Sequence, residues 1–499
     1  MSNLPQNIDE NLVRQVVSQV VREVTSAQPT NHQPQGTHAA SIPTPVTGVR
    51  SGINRWGVFN NVDQAVSAAR IAFEQLSKKT IEDRKLATDI VRNICRQQAI
   101  ELGTAEMNET KVGRLEHKIE KLVVLADHVP GVEFLSSQVF SGDHGLTVIE
   151  PAPFGVIGAV TPVTHSLPTL AANAISIIAA GNSLVVNPHP SGKRIAAEGV
   201  RRFNQAIQEA IGIDNLICVI EEPTIESANE LFTHRDIALI CVTGGPAVGR
   251  AALRSGKRAI VAGPGNPPVV VDETADLARA ARCIVEGASY DNNLLCIGEK
   301  EIFVVESVCD QLIHEMLQVG AALLDSNAID KLTRQAITKN PETGGMYAAK
   351  EFIGQDAQKL ANAADVTISP GTQLLIGETD HSHPMVSVEQ MMPFVPIVRC
   401  RDANEAIELA RKYEHGFRHT SMIHSNNVTN MTRMGQILDT TIFVKNGPCT
   451  AGNGIGGEGY FSYSIAGPTG EGITTPLTFT RERRCAMVES LRIIGMPEN

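Results

Sequence analysis

Apolar residues in this chain recur in two rhythms, and the change from one to the other marks out its parts. In the first stretch Ile8, Leu12, Val16 and Val20 return every four residues with Val13, Val17, Val21 and Val24 beside them, while Asp9, Arg14, Gln15, Ser18, Gln19, Arg22 and Glu23 fall elsewhere. That spacing predicts an amphipathic helix with Asn7 at its cap position. A lone helix of about 15 residues is marginal in water, so its aliphatic stripe needs a surface to bury against. Residues 26–52 then turn to Pro, Thr, Gln, Ser and Gly, with Pro29, Pro34, Pro43 and Pro45, which predicts a flexible linker. The tether favours a helix that docks on something else; one folded back on its own domain, or an oligomerisation strap, remains open.

From residue 53 the pattern is globular. Helical periods cover residues 62–76, 81–102 and 113–128, after which short β-branched runs at 147–150, 155–160, 184–186, 216–220 and 237–242 alternate with helical stretches at 167–180, 195–210 and 225–233. Such alternation implies a parallel sheet covered by helices on both faces. The expected organisation is a docking helix at 1–25, a linker at 26–52, a nucleotide-binding domain at 53–244, a catalytic domain at 245–438 and a C-terminal return at 439–499.

Composition narrows the class. Among 499 residues, 42% are apolar and 19% charged, the balance of an ordinary soluble globular protein. The 43 basic and 54 acidic residues leave a net charge of −11 with no basic cluster, which disfavours nucleic acid and anionic lipid as partners. No apolar run approaches the length of a membrane span; the stretch at 174–180 is cut by Gly181 and Asn182. The nine cysteines (Cys95, Cys218, Cys241, Cys283, Cys296, Cys309, Cys400, Cys449, Cys485) include no CxxC pair, so a reduced interior without structural zinc is expected.

Two segments carry candidate chemistry. Cys241-Val-Thr-Gly-Gly-Pro-Ala-Val-Gly-Arg250 sits where a strand gives way to a helix, and a glycine turn there offers backbone N–H groups and a helix N-terminus to a diphosphate. Plain punctuation after a buried strand is the commoner use of such a turn. Ser289-Tyr-Asp-Asn-Asn-Leu-Leu-Cys296 puts a cysteine at the mouth of a strand, a position for a thiolate nucleophile, although most cysteines are small buried residues. His165, His415 and His419 lack metal-ligand spacing and are expected to be structural.

These segments, with Val160-Thr-Pro-Val-Thr164, Ala179-Ala-Gly-Asn-Ser-Leu-Val-Val-Asn-Pro188, Glu389-Gln-Met-Met-Pro393 and Lys445-Asn-Gly-Pro448, occur in the order found in the aldehyde dehydrogenase superfamily. From residue 53 to the C-terminus the chain resembles the coenzyme A-acylating aldehyde dehydrogenases of bacterial microcompartments. The resemblance implies an α/β fold of aldehyde dehydrogenase type, with a Rossmann-like nucleotide-binding domain, an α/β catalytic domain and small oligomerisation strands, one at about 145–151 and one near the C-terminus, that build a homodimer or homotetramer. It makes Cys296 the nucleophile and faces the oxyanion with the Cys296 N–H and the side chain of Thr164, where many relatives have asparagine. It lays Thr161, Pro162, Asn187, Thr243, Gly244, Gly245, Gly249 and Gly263 along the dinucleotide, gives Glu389 the nicotinamide ribose and leaves His419 or Arg418 available to coenzyme A phosphates.

Two departures from the hydrolytic branch refine the picture. Where that branch has Glu-Leu-Gly-Gly, this chain has Ala262-Gly-Pro-Gly265, so the glutamate that activates water is replaced by alanine. An acyl thioester on Cys296 is then expected to pass to the thiol of coenzyme A, unless Glu299 or Glu458 serves as the base. Where that branch has Lys-Pro-Ser-Glu, this chain has Asn187-Pro-His-Pro190; a 2′-phosphate would find no cation there, which favours NAD over NADP. The expected activity is oxidation of a short aldehyde, propionaldehyde first, to its acyl-coenzyme A. The alternatives are a hydrolytic enzyme giving the free acid and a non-catalytic scaffold of the microcompartment shell. By the same resemblance, residues 8–24 direct the enzyme to a shell protein or to other cargo helices in the compartment lumen.

Overall fold

The computed structural model describes residues 56–341 and 344–495; the expected docking helix and linker lie outside the described residues. Arg55–Asn499 form one compact unit built around two parallel sheets. The first has six strands in the spatial order Val58–Phe59, Ile217–Ile220, Ser183–Pro188, Val156–Thr161, Ile237–Thr243, Ala259–Ala262. Its inner strands are runs of Val, Ile, Ala and Leu buried along their whole length, as a sheet covered on both faces requires. From Val156–Thr161 the chain winds outward in one direction through Ser183–Pro188 and Ile217–Ile220, then in the other through Ile237–Thr243 and Ala259–Ala262. The switch in winding lies between Val156–Thr161 and Ile237–Thr243, and ligands of such sheets bind beyond the carboxyl ends of the strands at that point.

The second sheet has seven parallel strands in the order Ala321–Leu323, Leu374–Glu378, Phe394–Cys400, Glu301–Val305, Pro268–Val271, Thr420–His424, Ile442–Lys445. The sheets part between Ala262 and Pro268, not at the expected boundary of 244 and 245. The glycine turn after Thr243 leads only into helix Pro246–Arg254 and one more strand of the first sheet, Ala259–Ala262, paired with Ile237–Thr243. The second sheet likewise runs on to Lys445, past the expected end at 438.

Helix Ser166–Ala179 is buried at every position, which its apolar sequence allows on all sides. The single helix expected over 81–102 is two, Ile81–Gln97 and Ala99–Thr110, broken where Gln98 leaves helical geometry (φ −110°). Gly145–Pro153 pairs antiparallel with Gln138–Gly142 on one side and with Thr480–Val488 on the other. This small sheet is largely exposed and carries Val139, Phe140 and Val488 in the open.

Buried charge ties the chain around the first sheet to the loop that enters the second. Lys118 and Lys121 on helix Leu115–His128, Glu106 on Ala99–Thr110 and Asp291 are all sealed from solvent. Lys121 Nζ donates to Asp291 Oδ2 and to His165 Nδ1 (2.8 Å), and Lys118 Nζ donates to the Thr164 carbonyl (2.7 Å) and to Glu106 (3.4 Å). Glu106 in turn accepts the Ser166 and Leu167 N–H groups at the start of helix Ser166–Ala179, where a carboxylate complements the helix dipole. Burial pulls the Lys121 ammonium down to about 8, and the two lysines hold Asp291 below its usual range against its own burial.

Replacing Lys121 by methionine strands Asp291 in the interior, and such losses cost about 3–5 kcal/mol. Urea unfolding of Lys121→Met is expected to show a destabilisation of that size, with the double variant Lys121→Met/Asp291→Asn recovering part of it.

Candidate active site

The two sheets meet end to end. Strand Ala259–Ala262 finishes the first sheet, Gly263–Pro267 crosses the gap, and Pro268 opens the second. Residues beyond the carboxyl ends of the first sheet (Thr161–Thr164, Thr243–Gly245, Ala262) therefore approach residues just ahead of the amino ends of the second. Cys296 precedes Glu301–Val305, Gly265 precedes Pro268–Val271, Glu389 precedes Phe394–Cys400 and His419 precedes Thr420–His424. These four strands are consecutive neighbours in the sheet. This head-to-tail arrangement sets the glycine turns of the first sheet on one wall of the candidate site and Cys296 on the other.

The nucleophile loop is held in an uncommon backbone form. Asp291, Asn292 and Asn293 all have positive φ (49°, 56° and 61°), a region that Asn and Asp tolerate better than other side chains. Each is anchored by its side chain: Asp291 to Lys121 and the Arg114 N–H (2.7 Å), Asn292 to the Gly354 carbonyl (3.0 Å) and Asp356 (2.9 Å), and Asn293 to the Glu299 carbonyl (2.9 Å). Lys300, wholly buried, donates back to the Asn293 and Leu295 carbonyls (3.1 and 2.9 Å). Cys296 is thus bracketed by reciprocal bonds between residues 293–295 and 299–300.

Of the nine cysteines, Cys283 and Cys296 are half-buried, Cys485 is exposed and the rest are buried. Burial, and after it the Glu389 carboxylate, pushes the Cys296 thiol up to about 12; Lys300 and the N–H groups of Cys296 and Ile297 oppose this. Those two N–H groups are the donors a tetrahedral oxyanion at this sulfur would meet. Thr164 is half-buried in the facing loop, its carbonyl fixed by Lys118.

Burial raises the Glu389 carboxyl to about 7, against the Lys300 charge and the nearby Gly265 N–H, which lower it. His419 stands on the other side of the same glycine: a Cβ on Gly265 would lie 2.5 Å from the Cys296 carbonyl oxygen and 3.1 Å from His419 Cγ. The imidazole is buried, which with the Lys300 charge lowers it to about 4, so it is neutral near pH 7. Its Nδ1 pairs with Thr420 Oγ1 (2.8 Å) and its Nε2 has no partner among the described residues. In the tautomer that donates its Nδ1–H to Thr420 Oγ1, the unpartnered Nε2 is a proton acceptor. The sequence offered His419 for coenzyme A phosphates; the structure places it, buried, beside Gly265 and the Cys296 carbonyl. What marks it is its place at the mouth of a central strand, which only the strand order reveals. Arg418 is exposed and near Asp439 (3.5 Å).

The nucleotide wall divides into residues that are free and residues already used. A Cβ at Gly244 or Gly245 would meet nothing, and Thr161 Oγ1 is buried without a partner among the described residues, so an open turn and an unsatisfied hydroxyl flank the switch point. This cradle fits a dinucleotide diphosphate. Pro162 follows, half-buried, at the strand end. At three of the expected nucleotide positions the structure shows partners within the protein. Asn187 spends its amide on helix Ile225–Thr233, accepting from Ser227 Oγ (2.6 Å) and donating to the Thr224 carbonyl (3.3 Å). Thr243 Oγ1 pairs with Ser464 Oγ (2.6 Å) in the C-terminal return. Gly249 is a packing position, where a Cβ would press on Val261 at 2.9 Å. Gly263 borders the cleft but packs on Pro468.

Two carboxyls entered the sequence reading as substitute bases. Glu299 is buried with Oε1 on the Cys449 N–H (2.8 Å), Oε2 unpartnered among the described residues and its carboxyl raised to about 7 by burial. Glu458 lies exposed in the glycine-rich loop. Ala262 closes its strand with no carboxyl of its own. No His, Cys, Asp and Glu grouping suited to a metal occurs among the described residues.

Residues 44–460 match the model of the aldehyde dehydrogenase family. The chain belongs to that family. Escherichia coli EutE, an acetylating acetaldehyde dehydrogenase, is 45% identical over 89% of this chain and 95% of its own. The propionaldehyde dehydrogenase of Rhodopseudomonas palustris, solved with propionyl-CoA and also with CoA and an acylated cysteine, superposes with a TM-score of 0.85 at 41% identity; with propionyl-CoA, 88% of this chain and 96% of that one are covered. A propionaldehyde dehydrogenase from the fucose-utilisation microcompartment of Clostridium phytofermentans has the same TM-score at 39% identity, covering 88% of this chain and all of its own. This aldehyde dehydrogenase thus has the α/β fold expected from its motifs.

Proposed function

We propose that the protein oxidises a short-chain aldehyde, propionaldehyde or acetaldehyde, with NAD and passes the acyl group to coenzyme A. The observation that carries the reading is the cleft itself: a half-buried cysteine, a neutral buried histidine with a free nitrogen, and an alanine at the position where hydrolytic members hold their base. Cys296 Sγ adds to the aldehyde carbon and its proton passes, through solvent, to the carbonyl oxygen, giving a thiohemiacetal whose oxygen faces the Cys296 and Ile297 N–H groups, with Thr164 opposite. When bound, the nicotinamide supplies the acceptor for the hydride that turns this adduct into an acyl thioester. Gly244, Gly245 and Thr161 hold the diphosphate side, and Glu389, near the Gly265 N–H, reaches the ribose. His419 Nε2 takes the proton of the incoming coenzyme A thiol; thiol attack on a thioester is nearly isoenergetic, and the Cys296 sulfur leaves.

A second reading rests on Glu389. Its carboxyl, near neutral titration and close enough to raise the Cys296 thiol, has the properties of a base for water, which would make the enzyme hydrolytic. One experiment separates the two. With aldehyde and NAD but no coenzyme A, NADH should stop at one equivalent per site and resume when coenzyme A is added; continued turnover establishes hydrolysis. Cys296→Ala should give no NADH at all, and His419→Ala should keep the first equivalent while slowing steady turnover about 100-fold or more.

The exposed apolar face of the sheet formed by Gln138–Gly142, Gly145–Pro153 and Thr480–Val488 supports assembly of two or four copies through these strands. Sedimentation should report a dimer or tetramer, reduced to smaller species by Phe140→Asp with Val488→Asp. The aliphatic stripe of residues 8–24 and the Pro-rich stretch behind it support docking on a microcompartment shell protein or on other cargo helices. Deleting residues 1–25 should leave soluble activity unchanged and abolish co-purification with shells; unaltered co-purification removes that role.

A further inference from the structure

Lys300 is a buried lysine with an unusual set of neighbours: burial lowers its ammonium, and Glu389, Cys449, Cys296 and Glu299 are the groups that act to keep it charged. Its Nζ donates to three oxygens, the Asn293 carbonyl, the Asn293 side-chain oxygen and the Leu295 carbonyl, and all three are neutral. Among the described residues no carboxylate stands at ion-pair distance, although the side chain is sealed from water. A desolvated ammonium without a counter-ion costs several kcal/mol, so such groups are retained where an anion arrives during function. The loop it clasps holds that anion's source: Cys296 follows Leu295 directly, and Gly298 is small enough for the ammonium to approach, since a Cβ there would fall 3.3 Å from Nζ and 2.7 Å from the Asn293 side-chain oxygen.

We infer that Lys300 is a positioning residue whose ammonium serves as the built-in counter-ion of the Cys296 thiolate, while its three hydrogen bonds hold residues 293–295 so that the sulfur faces the cleft. This rests on Cys296 being the nucleophile. The other charged groups in the electrostatic reach of Lys300 are Glu389, Glu299, Glu301, Cys449 and His419. None of them replaces it. Burial raises Glu389, Glu299 and Glu301 toward the neutral acid, raises the Cys449 thiol well above its ordinary range and keeps His419 neutral. Lys300 is also the largest charge opposing the upward push on the Cys296 thiol. When the sulfur loses its proton the pair becomes ammonium and thiolate; when it adds to the aldehyde carbon the negative charge moves to the carbonyl oxygen and its N–H donors. The lysine keeps its proton throughout.

The test reads the sulfur rather than turnover, so it stands apart from the assignment of the nucleophile, which Cys296→Ala decides. Alkylation by iodoacetamide is followed at the Cys296 peptide by mass spectrometry at about pH 8. Thiolate ultraviolet absorbance is titrated against the matching Cys296→Ala background. Lys300→Gln, which removes the charge but keeps donors for the clasp, is expected to alkylate about 10–100-fold more slowly, with the absorbance step moved to higher pH. Lys300→Arg should stay within about threefold of the wild type. Asn293→Asp leaves Lys300 in place but supplies a competing carboxylate. It should change both readouts in the same direction as Lys300→Gln, and it decides the matter alone if Lys300→Gln does not fold. Unchanged alkylation and titration in the folded charge-altering variants overturn the inference, and so does a Lys300→Arg protein that behaves like Lys300→Gln, which would assign the residue to loop geometry only.

Discussion

The site depends on one sealed cluster of charge. Lys118, Lys121, Glu106 and Asp291 hold the two sides of the cleft in register from below. The lysines reach from a helix packed on the first sheet to the Thr164 carbonyl and to the first of three left-handed residues leading to Cys296. A hydrophobic contact at that place would bury as much surface but would not fix angles; hydrogen bonds between ions do. Because the cluster also grips the amino end of the wholly buried helix Ser166–Ala179, a shift of Thr164 relative to Asp291 would disturb the most deeply packed element of the fold.

Above the cluster, chemistry is divided by sheet. The carboxyl ends of the first sheet present an open glycine turn and an unsatisfied hydroxyl, features suited to an anionic nucleotide. The amino ends of the second present Cys296, Glu389 and His419, three groups that burial makes reluctant to carry charge. In a cleft of low polarity an unneutralised carboxylate is the costlier tenant, and a neutral imidazole the cheaper one. Such surroundings suit a reaction that exchanges one sulfur for another, where little charge accumulates between steps.

Much of this was legible in the sequence, for identifiable reasons. The inner strands of the first sheet are short buried runs rich in Val and Ile, so their alternation with helices showed through, and helix Ile225–Thr233 lies where its apolar period placed it. Cys296 and Glu389 were picked out through the order of short motifs rather than through any local pattern. Long-range pairing is what the sequence does not display. The boundary between the two α/β stretches was placed at the glycine turn, while the pairing of Ala259–Ala262 with Ile237–Thr243 is invisible in one dimension. Nothing in the sequence told that Asn187 meets Ser227 or that Thr243 meets Ser464. His419 was undervalued for the complementary reason: its worth is that nothing claims its Nε2.

The pairing of Gly145–Pro153 with Thr480–Val488 has a consequence for how the molecule is made. At ordinary rates of synthesis the ribosome needs on the order of tens of seconds to travel from one strand to the other. During that interval the earlier strand waits with only its hairpin neighbour for company. Both parallel sheets can close first, since all their strands precede residue 446. The chain therefore acquires Cys296 and both sheets around it before it acquires the edge that this last strand completes, and any partnership made through that edge must wait for that strand.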